Sequence, residues 1–235
     1  MSGHSKWSTI KRQKGAADAK RGAIFTKIGN QIAIAARGGT DPELNSVLAL
    51  AIERAKAANM PSANIQRAID RIADKSATQL KEVTFEAYGP GGIGIIIEAA
   101  TDNNNRTFPE VRTTLSKHGG SIADPGSVLF QFKRLGVIHV DAIGEDALLI
   151  VLDSGVDDAV DDEEEIIAYT DPKSLSSVRQ KIIDAGLKVT DAGIEYVPNN
   201  KITPENDAKL EKILKLLEAL DDLEDVTSVY TNADV

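Results

Sequence analysis

The sequence predicts an α+β protein of more than one domain, with a basic all-helical N-terminal segment followed by α/β units. Three observations predict it. At 235 residues the chain exceeds the usual size of a single domain. Its apolar periodicity is helical up to about residue 78 and becomes an alternation of two from Lys81. Its charge also changes sign: residues 1–40 hold eight Lys or Arg against Asp18 alone, a net of +7, residues 41–80 balance, and residues 81–235 carry 14 basic and 30 acidic groups, a net of −16 within an overall −9.

The elements follow in order. Ile24, Ile28 and Ile32 recur at helical spacing and predict a helix over about Ala16 to Ala36, closed by Arg37 and Gly38-Gly39. Asp41-Pro42 offers a cap and a first-turn proline for a second helix through Leu44, Val47, Leu48, Ala51, Ile52 and Ala55, ending at Asn59-Met60-Pro61. Ile65, Ala68, Ile69 and Ile72 predict a third. Beyond Lys81, Val83, Phe85 and Ala87 alternate as a strand, and Gly89 to Gly92 makes a turn into a buried strand at Ile93 to Ile97. Asp102 to Asn105 caps a helix with Phe108, Val111 and Leu115, closed by Gly119-Gly120, after which Val128, Phe130 and Phe132 alternate as a strand. A second α/β unit follows: strand Val137 to Val140, helix Glu145 to Leu152, strand Ile166 to Thr170, helix Ser174 to Ala185, and paired strands around Val189 and Tyr196. Pro198 to Pro204 reads as a linker before a helix carrying Leu210, Ile213, Leu214, Leu217 and Leu220, and a last strand at Val226 to Tyr230 that returns to the earlier sheet.

Composition excludes several chemistries. The chain has no cysteine, which rules out a disulfide framework, a thiolate zinc site, an iron–sulfur cluster and a thiol nucleophile. With 42% hydrophobic and 27% charged residues it reads as globular rather than disordered. No run of eighteen apolar residues occurs, and the first fourteen residues are polar and basic, so a cytoplasmic protein with no membrane partner is expected. His4, His118 and His139 lie far apart in no metal-ligand spacing, a nucleophile elbow is absent, and no carboxylate pair stands out. The expectation is therefore a non-enzyme with no metal, no cofactor and no small-molecule substrate.

What points to function is residues 3–27. They hold Lys6, Lys11, Arg12, Lys14, Lys20, Arg21 and Lys27, seven cations, and the planar Trp7. Lys and Arg neutralise phosphates and release condensed counterions, so this set suits a nucleic-acid backbone. Trp7 either stacks on an unpaired base or packs the arm onto the helices. The loop Gly89-Pro90-Gly91-Gly92-Ile93-Gly94 resembles a phosphate cradle, but it joins two strand patterns and no Lys-Ser or Lys-Thr follows it, so a hairpin turn is expected. Asp157 to Glu165 carries seven acids in nine positions without the alternation or central glycine of a calcium loop, and is expected to be a solvated loop. Arg106 and Arg112 either meet an anion at the Asn-rich helix start or, the preferred reading, pair with the acidic surface.

The chain also resembles a known family. Gly3-His4-Ser5-Lys6-Trp7, Asp18-Ala19-Lys20-Arg21, Phe25-Thr26-Lys27, Gly38-Gly39-Thr40-Asp41-Pro42, Asn59-Met60-Pro61, Tyr88-Gly89-Pro90-Gly91-Gly92, Asn105-Arg106-Thr107 and Gly126-Ser127-Val128 together are similar to the YebC/PmpR family. The resemblance implies a helical domain at 1–79 and two α/β domains, the third (135–204) inserted into the second (80–134 with 205–235). It further implies a DNA-binding transcriptional regulator. The alternatives are a ribosome-associated translation factor on ribosomal RNA, as for the family's mitochondrial translational activators, and, from the acidic majority, a protein-interaction module holding a basic partner.

Overall fold

The computed structural model describes residues 18–71, 80–162 and 164–235. The fold is mixed α and β, with seven α-helices and two four-stranded sheets among those residues. They form two compact units: one is Phe132–Val197, the other is Pro198–Val235 with the described part of Ile10–Gln131. The expected domain junction near residues 74–81 lies largely outside the described residues.

The larger unit begins with helices α1 (Asp18–Ala35), α2 (Ser46–Ala57) and α3 (Ser62–Asp70). Their core is Ile32, Ala36, Leu48, Ala55, Met60, Ile65, Ala68 and Ile69, with Phe25, Ile28 and Ile52 packed against it. The opening of α2 differs from expectation. Asp41 closes a turn instead of capping, accepting from the Leu44 and Asn45 backbone N–H groups, and Asn45 is the cap. The Asn45 amide donates to the Ala35 and Gly39 carbonyls at 2.7 and 2.8 Å while its oxygen accepts from the Leu48 N–H at 3.1 Å. One side chain thus satisfies the end of α1 and the start of α2.

Strands β1 (Lys81–Tyr88) and β2 (Gly94–Thr101) form an antiparallel hairpin across Gly89 to Gly92, where Gly91 and Gly92 take φ of 84° and 77°. Helix α4 (Asn104–Lys117) and the short β3 (Ser121–Ile122) follow. Far along the chain come α7 (Asp207–Asp221) and β8 (Val226–Thr231), and β8 pairs antiparallel with β2, so the sheet order is β3-β1-β2-β8. Register places Phe85, Ile97 and Val229 on one face. Phe85 meets Phe108 of α4 there, ring centroids 6.0 Å apart. Gly94 sits where the end of β8 and the segment around Val128 converge: a Cβ would lie 2.8 Å from Val128 and 3.3 Å from Asn232, so only glycine fits. Asn232, buried, accepts from the Gly94 N–H at 2.7 Å and donates to Gln131 at 2.7 Å.

The expected strand through Val128, Phe130 and Phe132 is corrected: Leu129–Gln131 is a 3-10 turn and the strand starts at Phe132. The second unit holds β4 (Phe132–Val140), α5 (Glu145–Asp153), β5 (Asp158–Asp161), β6 (Ile166–Thr170), α6 (Leu175–Asp184) and β7 (Val189–Pro198), in sheet order β5-β6-β4-β7. Two expectations fail there. Val189 and Tyr196 belong to one long strand, not a pair. The acidic run is not a loop throughout: Asp158–Asp161 is an edge strand on β6, with Asp158 opposite Tyr169. Charges on an edge strand repel a further strand. Burial first, then Glu195, Asp158 and Asp162, push the Tyr169 phenol up to about 12.

Candidate nucleic-acid interface

The sequence places the predicted phosphate contacts at the N-terminus. Lys6, Trp7, Lys11, Arg12 and Lys14 lie outside the described residues. Lys20 and Arg21 stand on the first turns of α1. Lys27, two turns further, is brought to the end of α7, where its ammonium donates to the Asp221 backbone carbonyl and lies 4.0 Å from the Asp221 carboxylate. Its side chain is 14% exposed, so this cation complements the carbonyl end of a helix. Sequence spacing alone gave no signal of a partner 194 residues away.

Around α4 the structure separates the two arginines. Asn103 caps the helix, accepting from the Asn105 N–H at 3.1 Å. Arg106 reaches Asp225 at 2.9 Å and Asp102 at 3.2 Å. Asp225, just before β8, also accepts from the Thr107 hydroxyl at 2.6 Å and the Thr101 hydroxyl at 3.1 Å. Burial works to raise the Asp225 carboxyl, yet these hydrogen bonds and the Arg106 charge outweigh it and hold the group below its ordinary value. Arg106 is thus a tie between α4 and the returning tail. Arg112 departs from the expected surface pairing, for it has no carboxylate partner among the described residues. It lines an open groove of about 470 Å³ on the outer side of α4 with Phe108, Pro109, Thr113, Ser116 and Lys117. The spacing of Phe108, Arg112 and Ser116 at i, i+4, i+8 was the sequence signal for this face.

The other candidates resolve structurally. In the Gly89 to Gly92 turn the Gly89 N–H donates to the Ile93 carbonyl at 2.9 Å, closing the hairpin. His139 is buried with Nδ1 3.1 Å from Glu165, and His118 Nδ1 lies 2.9 Å from the Thr114 carbonyl. Among the described residues no group of three or more His, Asp or Glu side chains is arranged to hold a metal, and no helix is long and apolar enough to cross a membrane.

Comparison with known proteins matches residues 5–75 to the TACO1/YebC protein N-terminal domain and residues 80–233 to the TACO1/YebC second and third domain. A relative named "Probable transcriptional regulatory protein" in Chloroflexus aurantiacus is 46% identical over 243 residues, covering 100% of this chain and 96% of the relative. One of the same description in Caldanaerobacter subterraneus is also 46% identical over 243 residues, covering 100% and 99%. Among solved structures, a conserved hypothetical protein from Aquifex aeolicus superposes with a TM-score of 0.89 at 39% identity, over 97% of this chain and 96% of that one.

Proposed function

The chain belongs to the TACO1/YebC family, and from that premise we propose that it is a nucleic-acid-binding regulatory protein of the cytoplasm, non-enzymatic, acting as a DNA-binding transcriptional regulator. The observation that carries this reading is the charge distribution: a net of +7 in residues 1–40 of a chain that is −9 overall. Lys6, Lys11, Arg12, Lys14, Lys20 and Arg21 supply the phosphate contacts, Trp7 is the aromatic member of the set, and Lys27 anchors α1 to α7. The names that these relatives carry support a regulatory role. In domain terms the reading has a helical domain bearing the arm, and two α/β domains, one interrupting the other.

The mechanism is electrostatic. Each cation that meets a phosphate releases condensed counterions, and the net −16 of residues 81–235 repels the same polymer, so the main electrostatic attraction comes from the basic end. With about five phosphates neutralised, log affinity is expected to fall with log salt at a slope of roughly −4.5 on duplex DNA. Replacing Lys11, Arg12 and Lys14 with Gln together is expected to flatten that slope by about two to three units, read by fluorescence anisotropy across a salt series. A parent protein whose binding ignores salt, or a triple variant matching the parent, would overturn the reading.

A second reading, a ribosome-associated translation factor, is favoured by one observation. From Lys6 to Lys27 the sequence offers seven cations and the planar Trp7, a composition that suits backbone contact better than base readout. A regulator of promoters prefers a defined duplex to random duplex by a wide margin. The translation factor co-sediments with ribosomes and prefers ribosomal RNA to either duplex.

A further inference from the structure

Apart from the contact of Phe108 with Phe85, the outer face of α4 is exposed, and its composition is unusual for this half of the chain. Phe108 keeps 36% of its surface exposed although its ring is braced on the buried Phe85 at 6.0 Å between centroids. The groove beside it, about 470 Å³, is lined by two cations, two hydroxyls and no carboxylate. Neither Arg112 nor Lys117 has a carboxylate partner among the described residues, although the net charge of residues 81–235 is −16. Five residues apart, they are separated by about 7.5 Å along the helix axis and roughly 140° around it. They therefore flank the groove, with Thr113 and Ser116 between them.

From this arrangement we infer that the α4 face is a second nucleic-acid contact, specific for single-stranded RNA. The inference rests on the nucleic-acid reading above and deepens it. Arg112 and Lys117 meet successive parts of the phosphate backbone. The exposed face of Phe108 takes a base, and a base is free to stack only where the strand is unpaired. A duplex offers phosphates to the two cations but nothing to Phe108. The Thr113 and Ser116 hydroxyls, each donor and acceptor, face the ribose 2′-hydroxyl, which distinguishes RNA from DNA. A self-association face fits less well, since two copies would bring Arg112 and Lys117 against their own kind.

The test uses the full chain and labelled twelve-nucleotide strands of RNA, the same strands as DNA, and the matching DNA duplex, read by anisotropy. Replacing Arg112 and Lys117 with Gln together changes two exposed side chains, and is expected to weaken RNA-strand binding about tenfold and flatten its salt slope by about 1.4 units. Phe108→Leu keeps an apolar contact for Phe85 but removes the flat face, and is expected to cost about fivefold or more on the RNA strand. Phe108→Leu should leave duplex affinity within twofold of the parent and the Arg112 and Lys117 double variant should weaken the duplex less than the RNA strand, whereas the Lys11, Arg12 and Lys14 substitutions weaken binding to all three polymers. Equal losses on RNA and DNA strands would overturn the assignment to RNA. Parental RNA-strand affinity in both α4 variants, with the parent binding salt-dependently, would overturn the α4 contact alone. A folded parent that binds none of the three would overturn the nucleic-acid reading itself.

Discussion

Deleting residues 206–235 is expected to abolish the cooperative folding of the sheet that contains β1 and β2. The segment supplies Ile213, Leu216, Leu217, Leu220, Val226 and Val229, none more than 2% exposed. At about 1.5–3 kcal/mol for each buried aliphatic side chain, their loss amounts to roughly 10–15 kcal/mol, which matches or exceeds the whole stability of a typical domain. The same cut strips the β8 ladder from β2 and removes Asp225, leaving the Thr101 and Thr107 hydroxyls, both about 1% exposed, without their carboxylate. Hydrogen exchange followed by mass spectrometry checks the result. Protection should vanish from Ile95 to Thr101 and persist in Ile166 to Thr170, whose sheet is built wholly from residues 132–198. An unchanged melting transition with β2 still protected would show that β8 is an ornament on that sheet.

That dependence has a functional side. Lys27 of α1 is held by Asp221 at the end of α7, and the Gln31 amide donates to the Thr227 carbonyl of β8 at 3.4 Å. The helix that carries Lys20 and Arg21 on its first turns therefore packs on α7 and β8. In the proposed regulator α1 is thus held by residues 207–231, the same segment on which β2 depends.

Much of this was legible in the sequence wherever a local pattern decided the element. The apolar run Ile166 to Thr170 is a strand over those residues, and Asn103, within the expected cap Asp102 to Asn105, opens α4 as a side-chain acceptor. Illegible features were decided by partners far along the chain. Val128, Phe130 and Phe132 alternate like a strand, but a carboxylate from β1 captures the intervening backbone and forces a turn. Asp191-Ala192-Gly193 looks like a break, yet it lies inside β7, because cross-strand pairing overrides a single glycine. The acidic run looks like a solvated loop, and four of its residues complete an edge. Lys27 has the same spacing as its basic neighbours, and only Asp221 sets it apart. For the arm itself the sequence supplies the chemistry, and for the α4 face it supplied a spacing whose meaning depends on which side of the helix the sheet covers.

The carboxylate in question is Glu86, and Glu86→Ala is expected to be among the most damaging single substitutions in this chain. Glu86 is 8% exposed on β1 and accepts three backbone N–H groups of the 124–129 loop: Gly126 at 2.5 Å, Val128 at 2.7 Å and Leu129 at 2.7 Å. Burial works to raise its pKa, but the three hydrogen bonds prevail and hold it below the ordinary glutamate value. Removing the side chain orphans three donors, of which the Val128 N–H lies in a fully buried residue. At about 1–3 kcal/mol for each unsatisfied donor, less what entering water recovers, the loss is about 3–5 kcal/mol, or a melting temperature lower by roughly 10 °C. Glu86→Gln keeps one acceptor oxygen but turns an amide N–H₂ toward backbone donors, so it is expected to recover only part of the loss. The pH dependence follows from the direction of the shifts. Glu86 and Asp225 both titrate lower folded than unfolded, so their contribution is complete above the ordinary carboxylate range and is lost as pH falls through the lower folded values. Denaturant titrations of parent and Glu86→Ala at pH 7 and pH 3.5 measure this. The gap between the two proteins should narrow at the lower pH, because the parent has by then begun to lose the charge that the variant never had. A gap that stays constant would place the effect of Glu86 in packing rather than in its ionised hydrogen bonds.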